Sequence, residues 1–267
     1  MADENEDSLT LSAGALAALR EFYAERDAQT EKLEKIRALV EGDGDGGAAH
    51  GGGSRGGGGG EEKEEPELSI HTFTEDWNES QFWYSDETAN LLANQLLDGT
   101  SDDSVVAVVS TPSVFVALKK ILAAAGYAGP RPKLVLLEHD QRFGVFPEFV
   151  FYDYAHPFKL PGHLKGAVDR LICDPPFLSD DCQTKMAMTL RWLARPGAGA
   201  RVLICTGERM AALVGRLYAP LGVRTTTYEP AHAGLKNEFC CYANFECAAW
   251  RWRADDAAAT TTTTNTP

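Results

Sequence analysis

The sequence predicts one α/β domain built on a seven-stranded sheet, mostly parallel and closing in an antiparallel terminal pair. Three observations carry that expectation. Short runs rich in β-branched and aromatic residues alternate with longer helical patterns between residues 68 and 253, the signature of a sheet covered on both faces. The last two strand-like runs are separated only by residues 229–238, too few for a crossover helix, so they are expected to pair antiparallel. The stretch between the low-complexity ends, about 186 residues, has an ordinary size for a single domain.

From Ser12 to Val40, the apolar residues Leu16, Leu19, Phe22, Tyr23, Leu33, Ile36 and Leu39 recur at helical spacing among charged ones. They predict an amphipathic segment over 1–41, read either as a solvated appendage or as a partner-binding helix. Twelve glycines fall among the nineteen residues 42–60, and the acidic run Glu61 to Glu67 follows. Such a composition buries too little to offset the entropy of ordering it, which predicts a flexible linker over 42–67. Within the domain, 68–253, strands are expected at Val105–Val109, Leu134–Glu138, Glu148–Asp153, Arg170–Cys173, Val202–Cys205, Val223–Tyr228 and Phe239–Phe245. Helices are expected at Asp86–Leu97 behind a Ser85 N-cap, and at Pro112–Ala125, Asp180–Leu193 and Glu208–Tyr218. The tail 254–267 ends in a threonine run and is expected to be disordered.

Composition excludes several classes. The chain carries 39 acidic against 25 basic residues, a net charge of −14, and 17 of the acidic residues against 7 of the basic ones lie in the first 67 positions. A protein that grips phosphates shows a basic domain or stripe, and none appears here, so no nucleic-acid partner is expected. No apolar run approaches the roughly 20 residues of a membrane span. The first ten residues hold Asp3, Glu4, Glu6 and Asp7 and resemble no leader, so a cytoplasmic or nuclear setting is expected. Six cysteines contain no Cys-x-x-Cys pair and the histidines no ligand spacing, so no metal is expected and the thiols read as reduced. There is no Ser/His/Asp pattern or phosphate-loop motif to support a hydrolase or kinase.

In open α/β sheets ligands sit beyond the carboxyl ends of the strands, and four predicted strand ends are chemically loaded. The fourth reads Asp174-Pro175-Pro176-Phe177. There a carboxylate and the Pro175 carbonyl can accept hydrogen bonds from an amine, two prolines stiffen the loop, and an aromatic face can meet developing positive charge. A structural Pro-Pro turn capped by Asp is the competing reading. Glu138, closing the second strand, can accept both hydroxyls of a ribose, with Asp140 as a second candidate; a helix cap or surface charge competes for each. Asp153, with Tyr154 beside it, can accept from an adenine amino group or be an ordinary loop Asp. The first strand ends in Ser110-Thr111-Pro112-Ser113, with no glycine. Ahead of it, Gln81-Phe82-Trp83-Tyr84-Ser85 leads into a helix, where Tyr84 and Ser85 can meet a ligand carboxylate while Phe82 and Trp83 read as core. Asn237-Glu238 reads equally as a site margin or a hairpin turn.

The predicted layout is that of the Rossmann-like sheet of S-adenosylmethionine-dependent methyltransferases, and Asp174-Pro-Pro-Phe resembles the Asp/Asn-Pro-Pro-Tyr/Phe motif of amino-group methyltransferases. Taken with Gln81 to Ser85, the Ser-Thr-Pro-Ser loop, Leu137 to Phe143, Phe151 to Tyr154 and Asn237-Glu238-Phe239, the chain resembles one family in particular. These are the eukaryotic lysine methyltransferases of translation elongation factor 1-alpha, formerly grouped with adenine-N6 DNA methyltransferases. The resemblance spans nearly all of 68–246 and the helix around Leu16 to Tyr23, while the polyglycine linker departs from it. It implies S-adenosylmethionine as cofactor and elongation factor 1-alpha as protein substrate. It also implies a catalytic Asp174-Pro175-Pro176-Phe177 loop, with cofactor contacts from Tyr84, Ser85, Ser110, Thr111, Glu138, Asp140, Asp153, Tyr154 and Asp174. A monomer is expected. Two rivals stay open: methylation of adenine in nucleic acid, and a non-catalytic module using the same fold and its acidic front to hold a basic partner.

Overall fold

The computed structural model of the protein describes residues 31, 34, 35, 37, 38, 68–73, 81–197, 199–233 and 238–254. The chain divides into two units, Met1–Glu67 and Leu68–Pro267. In the first, Glu31, Glu34, Lys35, Arg37 and Ala38 are helical and exposed, and Lys35 Nζ lies 2.9 Å from Glu31 Oε1 one turn away. The rest of the expected amphipathic segment, the linker 42–67 and the tail from 255 lie outside the described residues.

The second unit holds seven strands: β1 (Val105–Val109), β2 (Lys133–Glu138), β3 (Phe149–Phe151), β4 (Arg170–Cys173), β5 (Arg201–Gly207), β6 (Arg224–Thr225) and β7 (Phe239–Ala243). Their order across the sheet is β3-β2-β1-β4-β5-β7-β6. The first five run parallel, whereas β7 lies antiparallel between β5 and β6. The expected mostly parallel sheet with an antiparallel terminal pair is therefore present. Residues Val106 to Val109 and Leu171 to Cys173 are wholly buried at the sheet centre, as strands covered on both faces must be.

Among the described residues of this unit there are four α-helices, α1 (Asp86–Leu97), α2 (Pro112–Ala123), α3 (Asp180–Leu193) and α4 (Ala211–Leu217). Ser85 Oγ accepts the Thr88 amide at 3.2 Å to start α1, and Ser179 Oγ accepts the Cys182 amide at 3.3 Å to start α3. Both helices carry acidic residues in the first turn, where the dipole favours them. Proline at the first position of α2 forgoes an amide that the helix leaves unpaired anyway.

Several boundaries differ from expectation for local reasons. β6 is only two residues long because the ladder bulges after Thr225: the Thr226 amide donates to the Cys241 carbonyl at 2.9 Å and the Tyr228 carbonyl accepts the Cys241 amide at 3.1 Å, while between them the Thr227 amide donates to the Arg251 carbonyl at 2.8 Å. β3 stops at Phe151, since Asp153 Oδ1 accepts the Ala155 amide at 2.8 Å and turns the chain. The helix expected from Glu208 begins as a single 3₁₀ turn, and α4 proper starts at Ala211. The Glu208 amide is already taken by the Glu238 carbonyl at 2.8 Å.

Candidate active site

Because β1 to β4 run parallel, their carboxyl ends share one edge of the sheet, and there a cavity of about 350 Å³ opens. Its wall is formed by Ser110 and Thr111 after β1, by Glu138 to Asp140 at β2, by Asp153 and Tyr154 after β3, and by Asp174 to Phe177 after β4. Tyr84 reaches it from the segment before α1. Every site residue named from the sequence is thus on one wall, except Ser85, whose hydroxyl caps α1. Asn237 lies outside the described residues, and the Glu238 carbonyl serves the β5–β7 junction.

At β1 the chain enters α2 through Ser110, whose φ of +52° is the positive value of a non-glycine residue among the described ones. The Thr111 hydroxyl turns back to the Val109 carbonyl at 2.8 Å, so α2 begins beside the cavity with no side-chain cap. A helix start of that kind suits a carboxylate.

Glu138 is 6% exposed. Its Oε1 accepts the amides of His139 at 2.8 Å and Asp140 at 3.2 Å, and among the described residues Oε2 has no hydrogen-bond partner. Burial pushes this carboxyl up to about 7, the two amides oppose the shift and Asp140 adds to it. Asp140 is differently used. Its oxygens accept the Arg142 amide and Nε, both at 2.8 Å, and Gln81 Nε2 at 2.9 Å. Arg142 in turn donates to Gln81 Oε1 at 2.9 Å, closing a ring of three side chains. Burial would raise the Asp140 carboxyl, but hydrogen bonds from Arg142 and Gln81 outweigh it and hold it below its ordinary range. Asp153 has both oxygens occupied, by the Ala155 amide and His156 Nδ1, each at 2.8 Å. The His156 contact holds its pKa down.

Asp174 is half-buried, and its Oδ2 accepts the Tyr84 hydroxyl at 2.6 Å. Burial pushes the carboxyl up to about 7; the Tyr84 bond pulls it down and Glu138 pushes it further up. Phe177 is 41% exposed, its ring 5.8 Å from that of Tyr154. A large apolar ring left this open at a cavity margin does not fill the core.

Sequence reasoning named Ser113 only as part of the loop after β1 and missed that its Oγ accepts the Tyr84 amide at 3.2 Å; it missed His232 altogether. His232 lies 4.7 Å ring to ring from Tyr84 and 4.5 Å from Phe239. Burial pushes its pKa down to about 4, so the imidazole is neutral at neutral pH. A histidine in the β6–β7 connection carries no local signal of this; only the fold brings it to Tyr84.

The donor set fits S-adenosylmethionine: a buried carboxylate with one free oxygen at the β2 end for the ribose, and an uncapped helix start after β1 for the amino-acid carboxylate. Among the described residues no cluster could hold a metal ion, and no helix is long and apolar enough to cross a membrane.

Comparison with known proteins agrees with the geometry. Residues 75–247 match the family described as "Probable N6-adenine methyltransferase". The chain is 39% identical over 256 residues to the Saccharomyces cerevisiae protein named protein-lysine N-methyltransferase EFM5, covering 91% of this chain and 94% of the relative. It is 34% identical over 246 residues to Homo sapiens EEF1A lysine methyltransferase 1, covering 91% and 95%. It is 35% identical over 251 residues to the Caenorhabditis elegans protein-lysine N-methyltransferase M142.8, covering 91% and 97%. With the sheet order and the Asp-Pro-Pro-Phe loop in place, these full-length likenesses show that the chain belongs to this family of S-adenosylmethionine-dependent protein-lysine N-methyltransferases.

Proposed function

We propose that the protein methylates a lysine side-chain amine of translation elongation factor 1-alpha, acting as a monomer in the cytoplasm. The relatives' names supply the substrate. The observation that carries the chemistry is Asp174, held by Tyr84 at the end of β4 and followed by two prolines and the open Phe177 ring.

S-adenosylmethionine, when bound, supplies an electrophilic methyl group on a sulfonium. The remaining work belongs to the chain. Glu138 Oε2 and the start of α2 hold the donor. Asp174 and the Pro175 carbonyl accept hydrogen bonds from the amine and aim its lone pair. A lysine amine has an unperturbed pKa of about 10.4 and must be neutral to react. Cover by Phe177 and Tyr154 favours the neutral form, whereas the Asp174 carboxylate favours the ammonium. Asp174 therefore serves mainly to orient the amine, and desolvation under the aromatic margin supplies the neutral form. Asp140 and Asp153, with their oxygens already occupied, shape the cavity margin rather than contact the cofactor through a free carboxylate.

The test is transfer of labelled methyl from S-adenosylmethionine to purified elongation factor 1-alpha, with DNA in parallel. Label on a lysine of the factor is expected. Label on DNA alone would assign the site to adenine, and cofactor binding without any label would remove elongation factor 1-alpha as the substrate.

A further inference from the structure

We infer that Tyr84 is a positioning residue for Asp174, fixing its carboxylate so that one oxygen, Oδ1, is presented to the target amine. This rests on the reading of Asp174 given above. The Tyr84 side chain is 1% exposed and donates to Asp174 Oδ2 at 2.6 Å. The Asp174 amide donates to the Val109 carbonyl at 3.2 Å, so backbone and one carboxylate oxygen are both anchored. Among the described residues the carboxylate has no other hydrogen-bond partner.

Tyr84 is itself held firmly. Its amide donates to Ser113 Oγ at 3.2 Å. Its chain neighbours pair with residues 231–233: the Ser85 amide donates to the Ala231 carbonyl at 2.9 Å, and the Ala233 amide to the Trp83 carbonyl at 3.1 Å. Tyr84 and His232 thus face one another in an antiparallel bridge, which puts their rings side by side. The Thr88 hydroxyl ties the same segment to α1, lying 3.2 Å from both the Ala231 amide and the Tyr228 hydroxyl. The backbone on either side of Tyr84 is thus fixed, its ring lies against His232, and its hydroxyl proton is committed to Asp174. The contact to the donor expected from the sequence gives way to a contact with the residue that orients the acceptor.

The groups facing Asp174 are Tyr84, Glu138, Cys173, Cys182 and Cys205, with His232 behind the Tyr84 ring. Burial pushes up Tyr84, Cys173 and Cys182; for Cys205 a hydrogen bond with Cys241 does so first and burial second. These groups and His232 are neutral at neutral pH, so Tyr84 stays a donor throughout. Its bond favours ionised Asp174, against burial and the Glu138 charge.

Tyr84→Phe keeps the ring and removes only the donor. Followed by carboxyl ¹³C NMR in the cofactor-free protein, the Asp174 midpoint is expected to rise by about one unit. Activity at pH 7 should fall about fivefold, as the ionised fraction of Asp174 does, and return toward wild type by pH 9, with S-adenosylmethionine affinity unchanged. A merely structural role would give a loss that pH does not repair. Incorporation of 3,5-difluorotyrosine at position 84 strengthens the donor and should shift the midpoint the other way, which decides the matter even where Tyr84→Phe folds poorly. An Asp174 midpoint indifferent to both changes would overturn the inference, as would weakened cofactor binding with kcat intact. If wild type fails to label elongation factor 1-alpha, the proposed function falls, while the NMR arms still decide the link between Tyr84 and Asp174.

Discussion

The Ser110 amide donates to the Leu137 carbonyl at 2.9 Å while Ser110 itself holds a φ of +52°. β1 therefore turns into α2 through a left-handed serine bonded to the neighbouring strand, at the place where a glycine would be conformationally free. An L residue held there costs about 1 kcal/mol or more, and strain of this kind collects on cavity walls.

Ser110→Gly should leave stability within about 0.5 kcal/mol of wild type, because relief of the strain and the added freedom of the unfolded chain nearly cancel. Ser110→Val should lower stability by about 2 kcal/mol and weaken cofactor binding, since a β-branched side chain tolerates positive φ poorly. Urea denaturation with isothermal titration of S-adenosylmethionine checks both. A Val variant as stable as wild type would show that the turn is not strained.

The ribose contact proposed for Glu138 predicts a pH dependence of cofactor binding. A ribose hydroxyl would donate to the ionised carboxylate, which burial has pushed up to about 7. Affinity for S-adenosylmethionine should therefore strengthen as pH rises from 5.5 to 7, by up to about tenfold per unit, and level off above. Glu138→Gln should bind more weakly and lose this slope. Calorimetry across the range that shows a flat wild-type profile would remove Glu138 from the cofactor contacts.

The same two raised carboxyls, Glu138 and Asp174, act on folding in the opposite direction. The folded chain holds their protons more tightly than the unfolded chain does, so their contribution is complete below the ordinary carboxylate range and is lost as pH rises toward about 7. Cofactor-free protein should be more stable to urea at pH 5 than at pH 7.5 through these groups. Glu138→Gln should reduce that difference and leave the share that belongs to Asp174.

Asp140 joins Gln81 to Arg142 and also accepts the Arg142 amide at the first turn after β2. Asp140→Ala should cost about 2 kcal/mol, the scale of losing hydrogen bonds to a charged group and leaving its partner uncompensated. It should loosen the segment that begins at Gln81, read as faster amide exchange at Trp83 and Tyr84. Unchanged exchange there would place the anchoring of that segment elsewhere.

Much of this was legible in the chain because its signals are local. β1, β4, α1 and α3 begin and end where the sequence predicts, since their bounds are set by continuous apolar runs or by a serine cap. The strand-end residues converge because parallel strands must bring their carboxyl ends to one edge. What escaped depends on distant partners. Val223 to Tyr228 alternates like a full strand, but beyond Thr225 it bulges, with Thr226 and Tyr228 both bonding Cys241 and Thr227 bonding Arg251. Tyr84 lines the cavity as expected, but nothing nearby in sequence reveals that its hydroxyl meets Asp174. His232 gave no signal at all, and the left-handed turn at Ser110 was hidden because serine does not announce it.

The most direct test of the account is methyl transfer by Asp174→Ala and Asp174→Asn, set beside their affinity for S-adenosylmethionine measured by calorimetry. In the proposed function Asp174 orients the amine and leaves ribose and carboxylate recognition to Glu138 and the start of α2. Both variants should therefore bind cofactor within a few-fold of wild type, yet transfer methyl at least about a hundredfold more slowly at every pH from 7 to 9. Transfer at the wild-type rate by either variant, or recovery of Asp174→Asn at high pH, would contradict it.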